Sequence, residues 1–246
     1  MIKKNYQVPP KEKAIEIIKS YLLGNQLKSG DLLPSERVLS ESFGISRTTF
    51  RSAIDQLKKE YRLYSVTGSG TYVSEQKFLI NLHDLKSTTT VIRESGKTLT
   101  TQVISNRIIE ANKEIAAHFK QVLGAPFFEL IRCRCIDGVP VFYETSITDY
   151  SRFKGIEEYD FSKESLFDIL ETKFSTKIQR GTESLGITFP TSVESECLKI
   201  SQKVPVYVIH SINYDSAGKV TEITKRIVRS DKVTYMNEYL NKVNKQ

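Results

Sequence analysis

No run of apolar residues in the chain approaches the roughly 18 that a membrane-spanning helix requires, and the opening stretch MIKKNYQVPPKEK lacks the apolar core of a secretory signal. The sequence therefore reads as that of a cytoplasmic protein, with no membrane partner. Cysteine is scarce: there are three, two of them Cys133 and Cys135 in RCRC, too few for a disulfide framework and suited to a reducing compartment. Histidine is equally sparse, and His83, His118 and His210 are scattered without the His-x-x-x-His or Cys/His spacing of a metal centre. No nucleophile with a positioned base and no cofactor fingerprint emerges. That weighs against an enzyme and leaves no metal, cofactor or catalytic residue to assign.

What is present is enough apolar residue for real cores, 39% of 246 residues, and a length that suits two ordinary domains. The net charge is +7, and it is unevenly spread. Residues 1–75 hold 12 Lys and Arg against 8 Asp and Glu, so more than half of the excess lies in less than a third of the chain. A polyanion, if bound, binds there.

The N-terminal third reads as three short helices and a hairpin. In KEKAIEIIKSYLLGN, Ala14, Ile17, Ile18, Tyr21 and Leu22 recur at helical spacing, and Gly24 stops the helix. A second helix opens at Pro34 and Ser35, buries Val38, Leu39 and Phe43, and ends at Gly44. A third starts at Ser46 and buries Phe50, Ala53, Ile54 and Leu57, spaced i, i+3, i+4, i+7. Arg47, Thr48, Arg51 and Ser52 then face outward, with the two arginines four residues apart on one side. Hydroxyls, guanidinium forks and free helix N–H groups together fit a DNA major groove. RLYSVTGSGTYVS follows as two strands around Gly68-Ser69-Gly70, a tip that lets backbone approach a phosphate closely.

These motifs, LPSERVLSESFGISRTTFRSAIDQLKKE followed by GSGTYV, resemble the winged helix-turn-helix DNA-binding domain of GntR-type bacterial transcription regulators over roughly residues 10–74. The resemblance implies that Arg37, Arg47 and Arg51 contact operator phosphates and bases, with Ser35, Ser46, Thr48 and Thr49 helping at phosphates and Gly70 at the wing. Two positions depart from the family. EYRLYS replaces the usual Glu-Gly-Leu, so Tyr61 must end the recognition helix without glycine's freedom, and Thr67 stands where a basic residue often precedes the wing glycines. The second departure predicts weaker wing contacts.

Beyond a linker placed at 76–82 the pattern changes, and residues 83–246 alternate helices with β-rich segments. Strands are expected at 99–109, 127–136, 140–149, 182–189, 205–214 and 220–229, and helices at 112–122, 165–174 and 192–200. A faint internal repeat of helix, strand, turn and strand relates Asn112 to Thr191 and Pro126 to Pro205. In FELIRCRCID, alternation puts Ile131, Cys133 and Cys135 on one face and Leu130, Arg132, Arg134 and Ile136 on the other. Cys133 and Cys135 read as small core residues. Arg132 and Arg134, about 7 Å apart, suit an anionic ligand, although a solvated arginine pair is the plainer reading of the strand taken alone.

LKSTTTVIRESGK, FELIRCRCIDGVPVFYETSITDY, SLFDILETKFSTKIQRGTESL and VPVYVIHSINYDSAGKVTEITKRIVRSD run in the order of the UTRA effector domain found in the HutC-type branch of these regulators. The fold class implied is α+β: a winged helix-turn-helix at 1–75 plus a mixed α/β, chorismate lyase-like UTRA domain. The resemblance implies an anion subsite from Thr89, Arg132, Arg134 and Ser165, with the choice among Thr88, Thr89 and Thr90 open. Glu144, two strands' reach away, and Glu222 would meet ligand hydroxyl or amino groups, and Tyr150 would cover the ligand. The function implied is a homodimeric, ligand-responsive transcription regulator, most simply a repressor, with double-stranded operator DNA and a small anionic metabolite, such as a sugar phosphate or amino-sugar phosphate, as partners. The alternatives are an enzyme acting on a small anionic substrate in the chorismate lyase-like fold, and a non-specific architectural DNA binder.

Overall fold

The computed structural model describes residues 9–75, 77–81 and 87–236, so His83 lies outside the described residues. The chain forms two compact units, Met1–Lys77 and Phe78–Gln246. No helix among the described residues is long and apolar enough to cross a membrane.

The first unit runs α1 (Pro10–Gly24), β1 (Leu32–Leu33), α2 (Glu36–Phe43), α3 (Arg47–Lys59), β2 (Leu63–Val66) and β3 (Gly70–Val73), with the strands ordered β1-β3-β2. Its core joins Ala14 and Ile18 of α1 to Leu33, Leu39, Leu63 and the four α3 residues picked out by periodicity, Phe50, Ala53, Ile54 and Leu57. Each large side chain fully removed from water here contributes about 1.5–3 kcal/mol. The expectation for α2 is met only at Leu39, because Val38 and Phe43 stay 41% and 43% exposed. Val38 sits a full 100° around the helix from Leu39, and Phe43, at the last residue, places its ring 6.4 Å from that of Phe50. Tyr61 does take the positive φ that glycine usually supplies, at 56°, and the chain closes the helix end with Arg62 N–H donating to Leu57 O at 2.9 Å.

The second unit runs β4 (Phe78–Asn81), α4 (Thr88–Glu94), β5 (Leu99–Glu110), α5 (Lys113–Phe119), β6 (Pro126–Ile136), β7 (Val139–Asp149), a 3-10 turn at Ile156–Glu158, α6 (Leu166–Phe174), β8 (Arg180–Thr188), α7 (Ser192–Leu198), β9 (Val206–Tyr214), β10 (Val220–Arg229) and β11 (Val233–Met236). Six strands form one antiparallel sheet in the order β5-β6-β7-β10-β9-β8, and β11 pairs in parallel with β4. Four residues of the 76–82 stretch are therefore strand and belong to this unit. The two copies of the internal repeat become α5-β6-β7 and α7-β9-β10, each helix capped by the matching residue, Asn112 or Thr191.

Helices α5 and α7 pack on one face of the sheet, α5 around Phe127 and α7 around Val206 and Ile227. On the other face α6 covers Phe128 and Leu130, while α4, β4 and β11 cover Ile136, Phe142, Ile209 and Val228. One cysteine expectation is overturned: Cys133 of β6 and Cys197 of α7 are joined by a disulfide between residues 64 apart in sequence, and Cys135 is the free thiol, only partly buried. The two residues meet because β6 turns Cys133 toward the face that α7 covers.

Candidate functional site

In the first unit, Ser46 caps α3 by accepting from Thr49 N–H at 3.2 Å, and its hydroxyl also lies 2.9 and 2.7 Å from those of Thr48 and Thr49. Ser35 caps α2 by accepting from Val38 N–H at 3.3 Å. Ser35, Arg37, Ser46, Arg47 and Thr48 are exposed, and Thr49 is half-buried. Arg51 reaches back from α3 to α2 and donates from Nε and Nη2 to the Glu36 carboxylate at 3.1 and 2.9 Å, while Arg37 pairs with Glu41 at 3.2 Å. These acidic partners hold the guanidinium groups on the outer surface. Gly70 has a local reason for its identity. Its φ of 141° disfavours any side chain, and a Cβ there would fall 2.7 Å from Leu32 Cδ1.

In the second unit, three neighbouring strands put opposite charges in one row on a single sheet face. Arg132 of β6 stands opposite Glu144 of β7, and Glu144 stands opposite Arg226 of β10. Arg132 Nη2 bonds one Glu144 oxygen, Arg226 Nε donates to the other at 2.9 Å, and Arg134 Nη1 lies 3.7 Å from the first. Arg134 Nη2 donates to Thr89 Oγ1 at 2.6 Å, at the start of α4, whose cap is Ser87. Arg132 and Arg134 are each 4% exposed, so the reading of a solvated pair is excluded. Their Nε atoms are buried without a hydrogen-bond partner.

The cavity above this row has a volume of about 530 Å³. One end is lined by Ser87, Thr88, Thr89 and Arg134, and the other by Glu183, Asn213, Glu222 and Arg180, with Ser165 also in the lining. Of the expected site residues, Thr89, Arg132, Arg134, Glu144, Ser165 and Glu222 come together here. Ser165 does so while capping α6, its hydroxyl 3.5 Å from Asp168 N–H. Tyr150 does not line the cavity. Its hydroxyl donates to Glu157 Oε1 at 2.6 Å and its ring packs against the α6 core. The reach of Glu144 is also corrected, since it lies directly across from Arg132 on the adjacent strand.

The electrostatics follow from burial and charge order. Burial pushes the Glu144 carboxyl up, but the guanidinium groups of Arg132, Arg226 and Arg134 outweigh it and hold it well below the usual carboxylate range. Burial lowers Arg134 to about 9, with Glu144 opposing and Arg132 adding to the shift. The Glu222 carboxyl is raised, first by burial and further by Glu144, against hydrogen bonds that include one from Asn213 Nδ2 at 2.8 Å. A carboxyl raised in this way favours the folded state below the unfolded pKa and loses that contribution as pH rises through the folded value. Replacing Glu222 by Gln is accordingly expected to raise the unfolding free energy measured in urea above neutral pH, by about 1 kcal/mol, and the gain should shrink as pH falls. A gain independent of pH would show that the Glu222 charge is not what the burial opposes.

Sequence reading missed Arg226, Asn213, Glu183 and Arg180. The first had a signal: counting in twos from Glu222 along β10 reaches Thr224 and then Arg226 on the cavity face.

Residues 94–234 match the UTRA domain, and residues 10–73 match the bacterial regulatory proteins of the gntR family. The chain is 29% identical over 236 residues to the HTH-type transcriptional repressor NagR of Bacillus subtilis (strain 168), covering 96% of this chain and 97% of that protein. It is 26% identical over 214 residues to the mannosyl-D-glycerate transport/metabolism system repressor MngR of Escherichia coli (strain K12), covering 87% and 89%. In fold it is similar to the crystal structure of PhnF from Mycobacterium smegmatis, with a TM-score of 0.68 at 23% identity over 93% of this chain and all of that one. Taken with the winged helix-turn-helix and the charged cavity, these matches place the chain in the GntR family, as a DNA-binding transcription regulator that carries a UTRA domain and not as an enzyme.

Proposed function

We propose that this regulator is a cytoplasmic homodimeric repressor whose paired α3 helices read two half-sites of an inverted repeat, and whose cavity takes a phosphorylated sugar or amino sugar. The observation that carries the ligand class is the two-ended charge of the cavity. Arg132, Arg134 and the Thr88-Thr89 start of α4 favour a phosphate at one end. Glu222, Glu183 and Asn213 favour hydroxyl or ammonium groups at the other. The relative MngR represses a system for a sugar-linked acid, mannosyl-D-glycerate, which agrees with a ligand that is part sugar and part anion. The ligand acts only through unequal affinity for the DNA-competent and DNA-incompetent forms, so ligand and operator affinities are reciprocally coupled.

The test is fluorescence anisotropy of the purified protein on the DNA upstream of its own gene against a scrambled duplex, repeated with a panel of phosphorylated sugars. Selective binding at nanomolar protein, released by one compound, is the expected result. Equal weak binding to both duplexes, unmoved by every compound, would overturn the reading.

A further inference from the structure

The face of the sheet opposite the cavity carries the disulfide. Cys133 lies between Arg132 and Arg134 in β6, and alternation sends its sulfur to α7 while its two neighbours point into the cavity. The same helix is tied to β10, where Glu194 accepts from Lys225 Nζ at 2.9 Å, and Lys225 precedes Arg226. Helix α7 thus holds a covalent tie behind two of the cavity arginines and an ionic tie behind the third. Cys133 is 4% exposed, whereas Cys197 is only partly buried, so small oxidants reach the pair through Cys197. Cys133 Sγ also lies 3.4 Å from the Cys197 carbonyl oxygen.

We propose that Cys133 and Cys197 form a reversible redox site that sets the placement of Arg132 and Arg134, so that the regulator responds to thiol oxidation as well as to its effector; this rests on the cavity being the effector site. With hydrogen peroxide as oxidant, the Cys197 thiolate attacks one peroxide oxygen, the O–O bond breaks and hydroxide leaves, giving a sulfenic acid. The Cys133 thiolate then attacks Cys197 Sγ, the S–O bond breaks, and the departing hydroxide takes a proton. Two thiols lose two electrons, and peroxide is reduced to two waters. Two equivalents of a small thiol reverse the change by exchange. The oxidised link restricts β6 against α7 and preorganises the arginine pair, so oxidation tightens ligand binding.

Full-length protein treated with peroxide or with dithiothreitol is alkylated and weighed, and glucosamine 6-phosphate is titrated into each form by calorimetry. Three alkylated thiols are expected in the reduced protein and one, Cys135, in the oxidised protein. The oxidised form should bind the probe about tenfold more tightly, a difference lost in Cys197→Ser and kept in Cys135→Ser. Three alkylated thiols after peroxide, or equal probe affinity in both forms, would overturn the proposal. If the probe binds neither form, it is the sugar-phosphate reading that fails, and operator affinity of the two forms then decides the redox site: a shift of about tenfold supports it and no shift sinks it.

Discussion

Glu144→Ala is expected to lose about 3–5 kcal/mol of stability to urea at neutral pH. The carboxylate is buried, bonded by Arg132 and Arg226 and faced by Arg134, and its removal leaves buried cations without the anion that bonds them directly. The pH dependence has a definite sign. Because the folded pKa is depressed, the stabilisation is complete above the unfolded carboxylate pKa of about 4.3, and it is lost as pH falls through the folded value below the ordinary range. Arg134→Met should behave in the opposite way, being neutral to stabilising, since burial opposes that charge and its closest Glu144 approach is only 3.7 Å. A loss under 1 kcal/mol in Glu144→Ala would mean that water compensates the arginines and that the row is not a closed network.

The second large effect concerns DNA. Arg47→Ala combined with Arg51→Ala is expected to weaken operator binding by about 100-fold or more, each arginine contributing about 1–3 kcal/mol. The slope of log affinity against log salt should become shallower by about 2 where both arginines meet phosphates. Effector affinity should not change. Glu36 refines this test, because it holds the Arg51 guanidinium by three hydrogen bonds. Glu36→Gln should relax that hold and raise the non-specific component of binding. Unaltered operator affinity in the double arginine variant would remove α3 from the role of recognition helix.

Legibility in the sequence tracked how local each determinant is. The α3 core set and the caps Ser35, Ser46, Asn112 and Thr191 depend on contacts three or four residues away, and each appears where spacing places it. Arg132 and Arg134 were visible as a pair, but their burial was not, because that depends on α4 and α6 arriving over the sheet. Glu144 shows the limit most clearly. Counting back from the Asp137-Gly138 turn with simple pairing would set Arg132 against Tyr143 and send Glu144 to the other face. A register shift between Arg134 and Cys135, opposite Pro140 to Phe142, moves the partner by one and brings Glu144 into the cavity. Pro140, with no N–H to give a ladder, was the only hint of that irregularity. The Cys133–Cys197 bond joins residues 64 apart with no diagnostic spacing, so nothing short of the fold could reveal it.

The repeated arrangement α5-β6-β7 and α7-β9-β10 has a mechanical meaning. The two copies meet edge to edge along β7 and β10, and Glu144 stitches that seam, one oxygen bonded from Arg132 in the first copy and the other from Arg226 in the second. Arg134 and Glu222, at opposite ends of the cavity, likewise belong to different copies. A molecule long enough to touch both works as a calliper laid across the seam: it measures, and on binding fixes, the spacing between the two half-sheets on the cavity face.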